Sequence, residues 1–380
     1  MSRTLSAGIA MFAMLFGAGN VVFPLALGRE AGSTVGWAVT GFCITAVLVP
    51  LLGLVSTVLY DGDYRKFLGR VGVVPGALVA AVCMILIGPF GAIPRCMNTA
   101  YAATKWYFPD FSLFYFSIMA ALVVFLFALR PTTVVDLIGR FLGPLKLTLL
   151  LSIIIVGIFW VHGSPAHVDM TPTDALLKGV VEGYGTMDLL ATIFFAGLIL
   201  NSLKKGLGPD AGYKQLAFEG LKAGLVGALL LGIVYAGFCL VAAFHGPSVA
   251  DIHRYELLNA LAPYILGAHG GMLTNATVAV SCLVTALALT TVFAEYLQKS
   301  IFRGHLKYVS CLIMTTIASG AMANLGFSTL MSLIVPVIVA CYPALIVLSI
   351  VNIAHKLFGF RFVKTPVFAT LAITVIAMCV

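Results

Sequence analysis

From Leu5 to Leu27 the chain carries no charged side chain, yet the run is interrupted at its middle by Gly17, Ala18, Gly19 and Asn20, with Pro24 close behind. An apolar run of about 20 residues can cross the roughly 30 Å hydrocarbon core of a bilayer as a helix. Two glycines, an asparagine and a proline so close together invite local unwinding. Unwound backbone at that depth leaves amides and carbonyls without water, which is costly in hydrocarbon. It persists only where it is packed in protein or lines a polar cavity. Two readings are open. The small residues let neighbouring helices pack closely, or the opened backbone binds, with half-helix amides gripping an anion and free carbonyls a cation.

Apolar runs recur along the whole chain, at 5–27, 34–60, 73–104, 112–129, 137–160, 174–202, 219–244, 271–297, 306–323, 327–353 and 365–380. Only 9% of residues are charged, against about 25% in soluble domains, and the runs lack the polar–apolar alternation of barrel strands. The chain reads as an all-α polytopic membrane protein with no separate soluble domain. The apolar start continues through Leu27 without a cleavage context, so it reads as a retained helix rather than a signal peptide. The net charge of +8 does not indicate nucleic acid, because the basic residues alternate by side. One set of connecting segments holds Arg3, Arg65, Lys66, Arg70, Arg130, Arg140, Lys204, Lys205, Lys214, Lys222, Lys299, Arg303, Lys307, Lys356, Arg361 and Lys364. The other holds little beyond Arg29, Lys105, Lys178 and Arg254. Positive charge stays on the cytoplasmic side, so the N-terminus is expected inside. The eight cysteines lie within apolar runs and form no Cys-x-x-Cys pair, which fits small buried thiols rather than a metal site.

The sixth run is interrupted as well, by Glu182-Gly183-Tyr184-Gly185-Thr186-Met187-Asp188. A carboxylate at mid-bilayer usually faces a cavity or a partner; Asp188 is either that or the cap of the half-helix starting beside it. Breaks in runs one and six imply a five-helix unit repeated once in inverted orientation, the arrangement of many secondary transporters. Residues 1–160 and 161–353 are then the two repeats, and 354–380 an additional span. Segment 245–270, with Leu257, Leu258, Leu261 and Ile265 at helical spacing, is an external lid or an interfacial helix. Arg95 follows a bend built from Gly88, Pro89, Gly91 and Pro94; it either makes a gating ion pair or snorkels to the interface. On run eight, Ser281 and Thr285 share a helix face, where their hydroxyls either join a cation site or bond back to the helix carbonyls.

The stretch Phe16-Gly17-Ala18-Gly19-Asn20-Val21-Val22-Phe23-Pro24 resembles the first-span motif of the branched-chain amino acid:cation symporters, the bacterial leucine/isoleucine/valine carriers. Ala92-Ile93-Pro94-Arg95, Glu182 to Asp188, and Asn324-Leu325-Gly326-Phe327 leading to Val335-Pro336-Val337 agree in order and spacing. The family belongs to the amino acid–polyamine–cation group, so the resemblance implies the LeuT-type five-plus-five inverted repeat with broken helices one and six. It also implies a multi-pass protein of the bacterial cytoplasmic membrane. The substrate would meet Gly17, Ala18, Gly19, Tyr184, Gly185, Thr186, Met187 and Asp188, with the amides of Ala18 and Gly19 on its carboxylate. The cation would meet carbonyls of Ala13 and Phe16 and the hydroxyls of Ser281 and Thr285, and Asn20 would help coordinate it or fix the unwound backbone. No cofactor is implied beyond Na+ or H+ as coupling ion, and no protein partner.

The chain departs from the family pattern in three places. Val284 precedes Thr285 where two adjacent threonines are usual, so one hydroxyl ligand is missing, and sodium dependence is expected to be weaker than a two-threonine site would give. Ala102 stands where a Glu is usual. Eleven spans are read where twelve are general. An aliphatic side chain needs only a dry apolar pocket, which resolves one methylene by about 1–3 kcal/mol, so Leu, Ile and Val are expected to compete. The alternatives are a carrier of another small neutral amino acid such as Met, or a passive channel, although no continuous polar ring is visible. A membrane enzyme would need a motif such as His-Glu-x-x-His or Gly-x-Ser-x-Gly, and neither occurs. With the native cysteines removed, single cysteines at 204 or 214 should resist impermeant thiol reagents in intact cells; strong labelling there would reverse the topology.

Overall fold

The apolar runs fold as helices, the only open-ended structure that satisfies its own backbone hydrogen bonds in an apolar surround. The computed structural model describes residues 3–129, 141–161, 164–207 and 213–379. Arg130, Arg140, residues 208–212 of the basic 203–218 segment and Val380 lie outside these. The first half comprises α1 (Arg3–Leu15), α2 (Ala18–Ala31), α3 (Val35–Cys43), α4 (Val49–Val58), α5 (Tyr64–Leu68), α6 (Val73–Ile87), α7 (Ala92–Lys105), α8 (Leu113–Ala128) and α9 (Gly143–Phe159). The second comprises α10 (Pro172–Tyr184), α11 (Asp188–Leu207), α12 (Tyr213–His245), α13 (Leu257–Tyr296), α14 (Tyr308–Ala323), α15 (Phe327–Phe358) and α16 (Lys364–Cys379). No strand occurs among the described residues.

Five helical stretches, Ala18–Val58, Val73–Lys105, Gln215–Val249, Leu257–Ile301 and Phe327–Phe358, are long and apolar enough to cross a bilayer, and α10 with α11 forms a broken sixth bent by 45°. Shorter apolar helices at Thr4–Leu15, Leu113–Ala128, Gly143–Phe159, Tyr308–Ala323 and Lys364–Met378 complete the bundle. Its outer face is apolar: Phe159 is 85% exposed, and Leu229, Ile317 and Leu333 are exposed too. An apolar surface of that extent suits lipid rather than water.

The first break is narrower than the sequence suggests. α1 ends at Leu15 and α2 begins at Ala18, so only Phe16 and Gly17 leave the helix, and α2 runs on through Pro24. Gly17 is extended, and its N–H donates to Asn20 Oδ1 (2.8 Å), a side chain supplying the partner that the helix start lacks. At the second break Met187 adopts a left-handed backbone, φ +64°, which is costly for a residue other than glycine. A third break, between Ile87 and Ala92, sets Arg95 in the first turn of α7. In segment 245–270, a 3-10 turn at Gly246–Val249 precedes α13, which begins at Leu257; Leu257, Leu258, Leu261 and Ile265 are all buried. Gly267, at φ +70°, kinks α13 before it continues inward.

α1 and α2 occupy the middle, packed against α12 and α13, while α7 lies along α13 and α10 along α3. The α3–α10 seam is a mutual glycine contact. A Cβ at Gly179 would lie 2.1 Å from the Ala38 carbonyl oxygen, and one at Gly41 would lie 2.0 Å from that of Leu176. Gly36, on the same α3, has no neighbour within 4 Å. Gly179→Ala should therefore lower the stability of detergent-purified protein by about 1–3 kcal/mol, the usual cost of overpacking. Gly36→Ala should leave its thermal unfolding unchanged or slightly raised. Equal behaviour of the two variants would contradict the close seam.

Candidate functional site

The two breaks face each other at the centre of the bundle. Asp188, the first residue of α11, is 1% exposed. Asn20 Nδ2 donates to both of its carboxylate oxygens (2.9 and 2.8 Å). Tyr235, from α12, donates its hydroxyl to Oδ2 (2.6 Å) and also meets Asn20 Nδ2. Its ring packs edge-on against Phe42 and stacks on Phe16, which holds the hydroxyl in place. Asn20 thus closes the first break with its oxygen and ties it to the second with its nitrogen. At the start of α11 the Asp188 N–H donates to Thr186 Oγ1 (3.4 Å) and Thr192 Oγ1 donates to the Asp188 carbonyl (2.7 Å), so Thr186, not the Asp188 carboxylate, is the capping side chain.

Arg95 does not snorkel to an interface. It is 2% exposed, with Nη1 donating to the Gly185 carbonyl (2.7 Å) and Nη2 to that of Thr186 (3.3 Å). The guanidinium thereby satisfies carbonyls freed by the second break, while its Nε has no partner. Gly17, Ala18, Asn20, Arg95, Cys96, Thr186, Met187, Asp188 and Thr285 line one enclosed cavity with apolar walls from Met14, Leu15, Ile87 and Leu289. The space open to a water's centre is about 20 Å³, enough for one water. A Cβ on Gly19 would lie 2.7 Å from Arg95 Nη2 and 3.1 Å from the Gly185 carbonyl oxygen; one on Gly17 would lie 2.9 Å from Thr285 Cγ2. To one side, Phe23 has a guanidinium over its ring from both Arg95 and Arg254, each 5.9 Å from the centroid. Arg254 pairs with Glu182 at 2.8 Å.

A second cluster lies beside the first break. The carbonyls of Ala13 and Phe16 accept from the Thr285 hydroxyl (3.4 and 3.0 Å). The same two carbonyls, with that of Ser281, accept from Lys146 Nζ on α9: Ala13 at 3.0 Å, Ser281 at 3.3 Å, and Phe16 as well. Lys146 is 2% exposed, and its ammonium lies 5.2 Å from the centroid of the Phe16 ring.

The structure therefore gathers Gly17, Ala18, Thr186, Met187 and Asp188 at one cavity, with Gly19 and Gly185 against Arg95 at its edge. Tyr184 does not line the cavity and packs at a tilt against Tyr342 (4.8 Å between centroids). Ala13, Phe16, Ser281 and Thr285 form a group of their own, Ser281 contributing its carbonyl while its hydroxyl has no partner. Asn20 stands with Asp188 instead. Lys146 and Tyr235 went unread in the sequence. Lys146 could have been found as the one charge within the apolar run 143–159; Tyr235 resembles any core aromatic.

Helices broken at the bundle's centre, their ends facing one another across an enclosed cavity, define the class: a membrane transporter with discontinuous helices. A solved structure of similar fold is Mhp1, a nucleobase-cation-symport-1 family transporter in a closed conformation with bromovinylhydantoin bound. The TM-score is 0.61 over 99% of this chain and 91% of that one, and the identity of 14% makes the likeness one of fold. Over residues 1–380 the chain matches the family described as branched-chain amino acid transport protein, and it belongs to that family. It is 32% identical over 366 residues to the branched-chain amino acid permease BraB of Bacillus subtilis, covering 94% of this chain and 81% of that protein. It is 30% identical over 372 residues to the permease BrnQ of Escherichia coli K12, covering 96% and 83%. The family is one of transporters, not enzymes.

Because Asn20 and Tyr235 serve the same carboxylate, Asn20→Ala and Tyr235→Phe should each destabilise the purified protein. Their effects should be coupled by about 0.5–3 kcal/mol in a double-mutant cycle. Additive effects would mean that Asp188 does not join them.

Proposed function

We propose that the protein is a secondary active transporter that imports Leu, Ile and Val across the bacterial cytoplasmic membrane. It would work by alternating access, driven by a Na+ or H+ gradient, with the N-terminus inside and two inverted five-helix repeats around the central cavity. Membership of the family supports the branched-chain substrate. The observation that carries the mechanism is the meeting of the two broken helices at a cavity too small for any amino acid, so that substrate enters only when the helices part.

In this reading the amides of Ala18 and Gly19, at the positive end of α2, receive the substrate carboxylate, and Arg95 adds a permanent positive charge beside them. The Asp188 carboxylate receives the ammonium, and the Gly185 and Thr186 carbonyls join it only where the parting helices release them from Arg95. Met14, Leu15, Ile87 and Leu289 wrap the aliphatic chain. Phe23 and the Glu182–Arg254 pair close one side of the site, and opening there separates them.

Purified protein in proteoliposomes should take up leucine saturably, show counterflow, and be competed by isoleucine and valine. Gly19→Val should abolish leucine binding in scintillation proximity while the protein remains monodisperse, since the added bulk meets Arg95 and the Gly185 carbonyl. Normal affinity in well-folded Gly19→Val would falsify the backbone grip. Flux that rises without saturation would favour a passive channel.

A further inference from the structure

We propose that the Lys146 ammonium permanently fills the position at which the family resemblance places a sodium ion, so that this protein binds its substrate without sodium there. The inference deepens the transport reading and rests on it. A sodium site at the first break would use the Ala13 and Phe16 carbonyls and oxygens from α13. Those oxygens are present and gathered, but an amine reaches them from α9. An ammonium has three protons, and Lys146 Nζ has three carbonyl acceptors, those of Ala13, Phe16 and Ser281. Donors and acceptors match with none left over.

Of the side-chain oxygens on α13 that the resemblance names, the Ser281 hydroxyl alone is without a partner. The Thr285 hydroxyl proton is directed at the Ala13 and Phe16 carbonyls, and Val284 is buried on the same helix with no oxygen to offer. Hard cations require an oxygen shell, and here the carbonyls of that shell already answer a positive charge. A second cation would have to displace the first, and the first is tethered to α9. The geometry also explains why a lysine is tolerated so deep in the bundle: its charge does for the first break what an ion would do, holding the freed carbonyls of α1 against α13. Of the two gradients in the transport reading, the sodium gradient is the one that loses its binding place.

Thermal unfolding of the purified protein, read with and without sodium against choline in the absence of substrate, tests the idea independently of what is transported. Wild type should show no sodium-dependent shift. Lys146→Ala, which removes the amine and leaves the carbonyls facing an opened space, should be stabilised by sodium, as a protein is by any ligand of its folded state. Lys146→Met fills the space without charge and should not respond. Leucine binding should follow: sodium-independent in wild type, weakened about tenfold or more in Lys146→Ala in choline, the order expected when a charge-assisted hydrogen-bonding group is lost, and recovered in part by sodium. A sodium-dependent stabilisation of wild type would overturn the proposal, as would a folded Lys146→Ala indifferent to sodium. If Lys146→Ala does not fold, the wild-type measurement decides alone. Failure to bind leucine under any condition, with these shifts as expected, would count against the transport reading instead.

Discussion

Asp188 places a buried carboxylate at the meeting point of the two broken helices, and the centre of the molecule is arranged around the answer to that charge. A carboxylate at mid-bilayer costs about 2.5–3.5 kcal/mol on insertion scales, while each hydrogen bond to a charged group returns about 1.5–3 kcal/mol. Asn20 and Tyr235 supply three such bonds, so the cost is met locally. The donors come from α2 and α12, and the acceptor heads α11. Satisfying one buried charge therefore fixes where the two discontinuous helices lie relative to each other. The same necessity extends outward: Arg95 takes up carbonyls freed at the second break, and Lys146 those freed at the first.

The first and second breaks are thus each stabilised by a cation on a neighbouring helix as well as by a side chain of their own, Asn20 at the first and Thr186 at the second. This makes the broken backbone a shared property of the bundle. It also limits what else can bind. Two unit positive charges 4 Å apart repel by about 4 kcal/mol at an effective dielectric of 20, a large fraction of what a weakly held ion gains. Helices that meet through a few polar bonds across a small cavity, not through a close glycine seam like that between α3 and α10, are also the ones most readily parted.

Much of this was legible in the sequence. Glycines 17 and 19 with Asn20 marked the first break because no apolar helix keeps such residues at its middle without cause, and Asp188 marked the second because a carboxylate there requires a partner. The extent of the first break was overread: Pro24 lies inside α2, past its first turn, and removes one helix hydrogen bond without ending the helix. The partners were hidden. Asn20 was read as a cation ligand or a brace for the unwound backbone; its oxygen does brace the first break, but its nitrogen reaches a residue 168 positions away, a distance that sequence pattern does not report. Tyr235 lies in a 33-residue apolar helix where any aromatic passes for core. Lys146 was visible as a lone charge, but an amine inside a span becomes meaningful only once three carbonyls from α1, its break and α13 are seen around it.

The central claim is that substrate binds between the two broken helix ends. An experimental structure of the protein with leucine bound tests it most directly. The account predicts leucine in an enlarged version of the present cavity. Its carboxylate should be at the amides of Ala18 and Gly19, its ammonium toward Asp188 and residues 184–187, and its side chain against Met14 and Leu289. Leucine lodged elsewhere in the bundle, or continuous helices through residues 16–17 and 185–187, would contradict it.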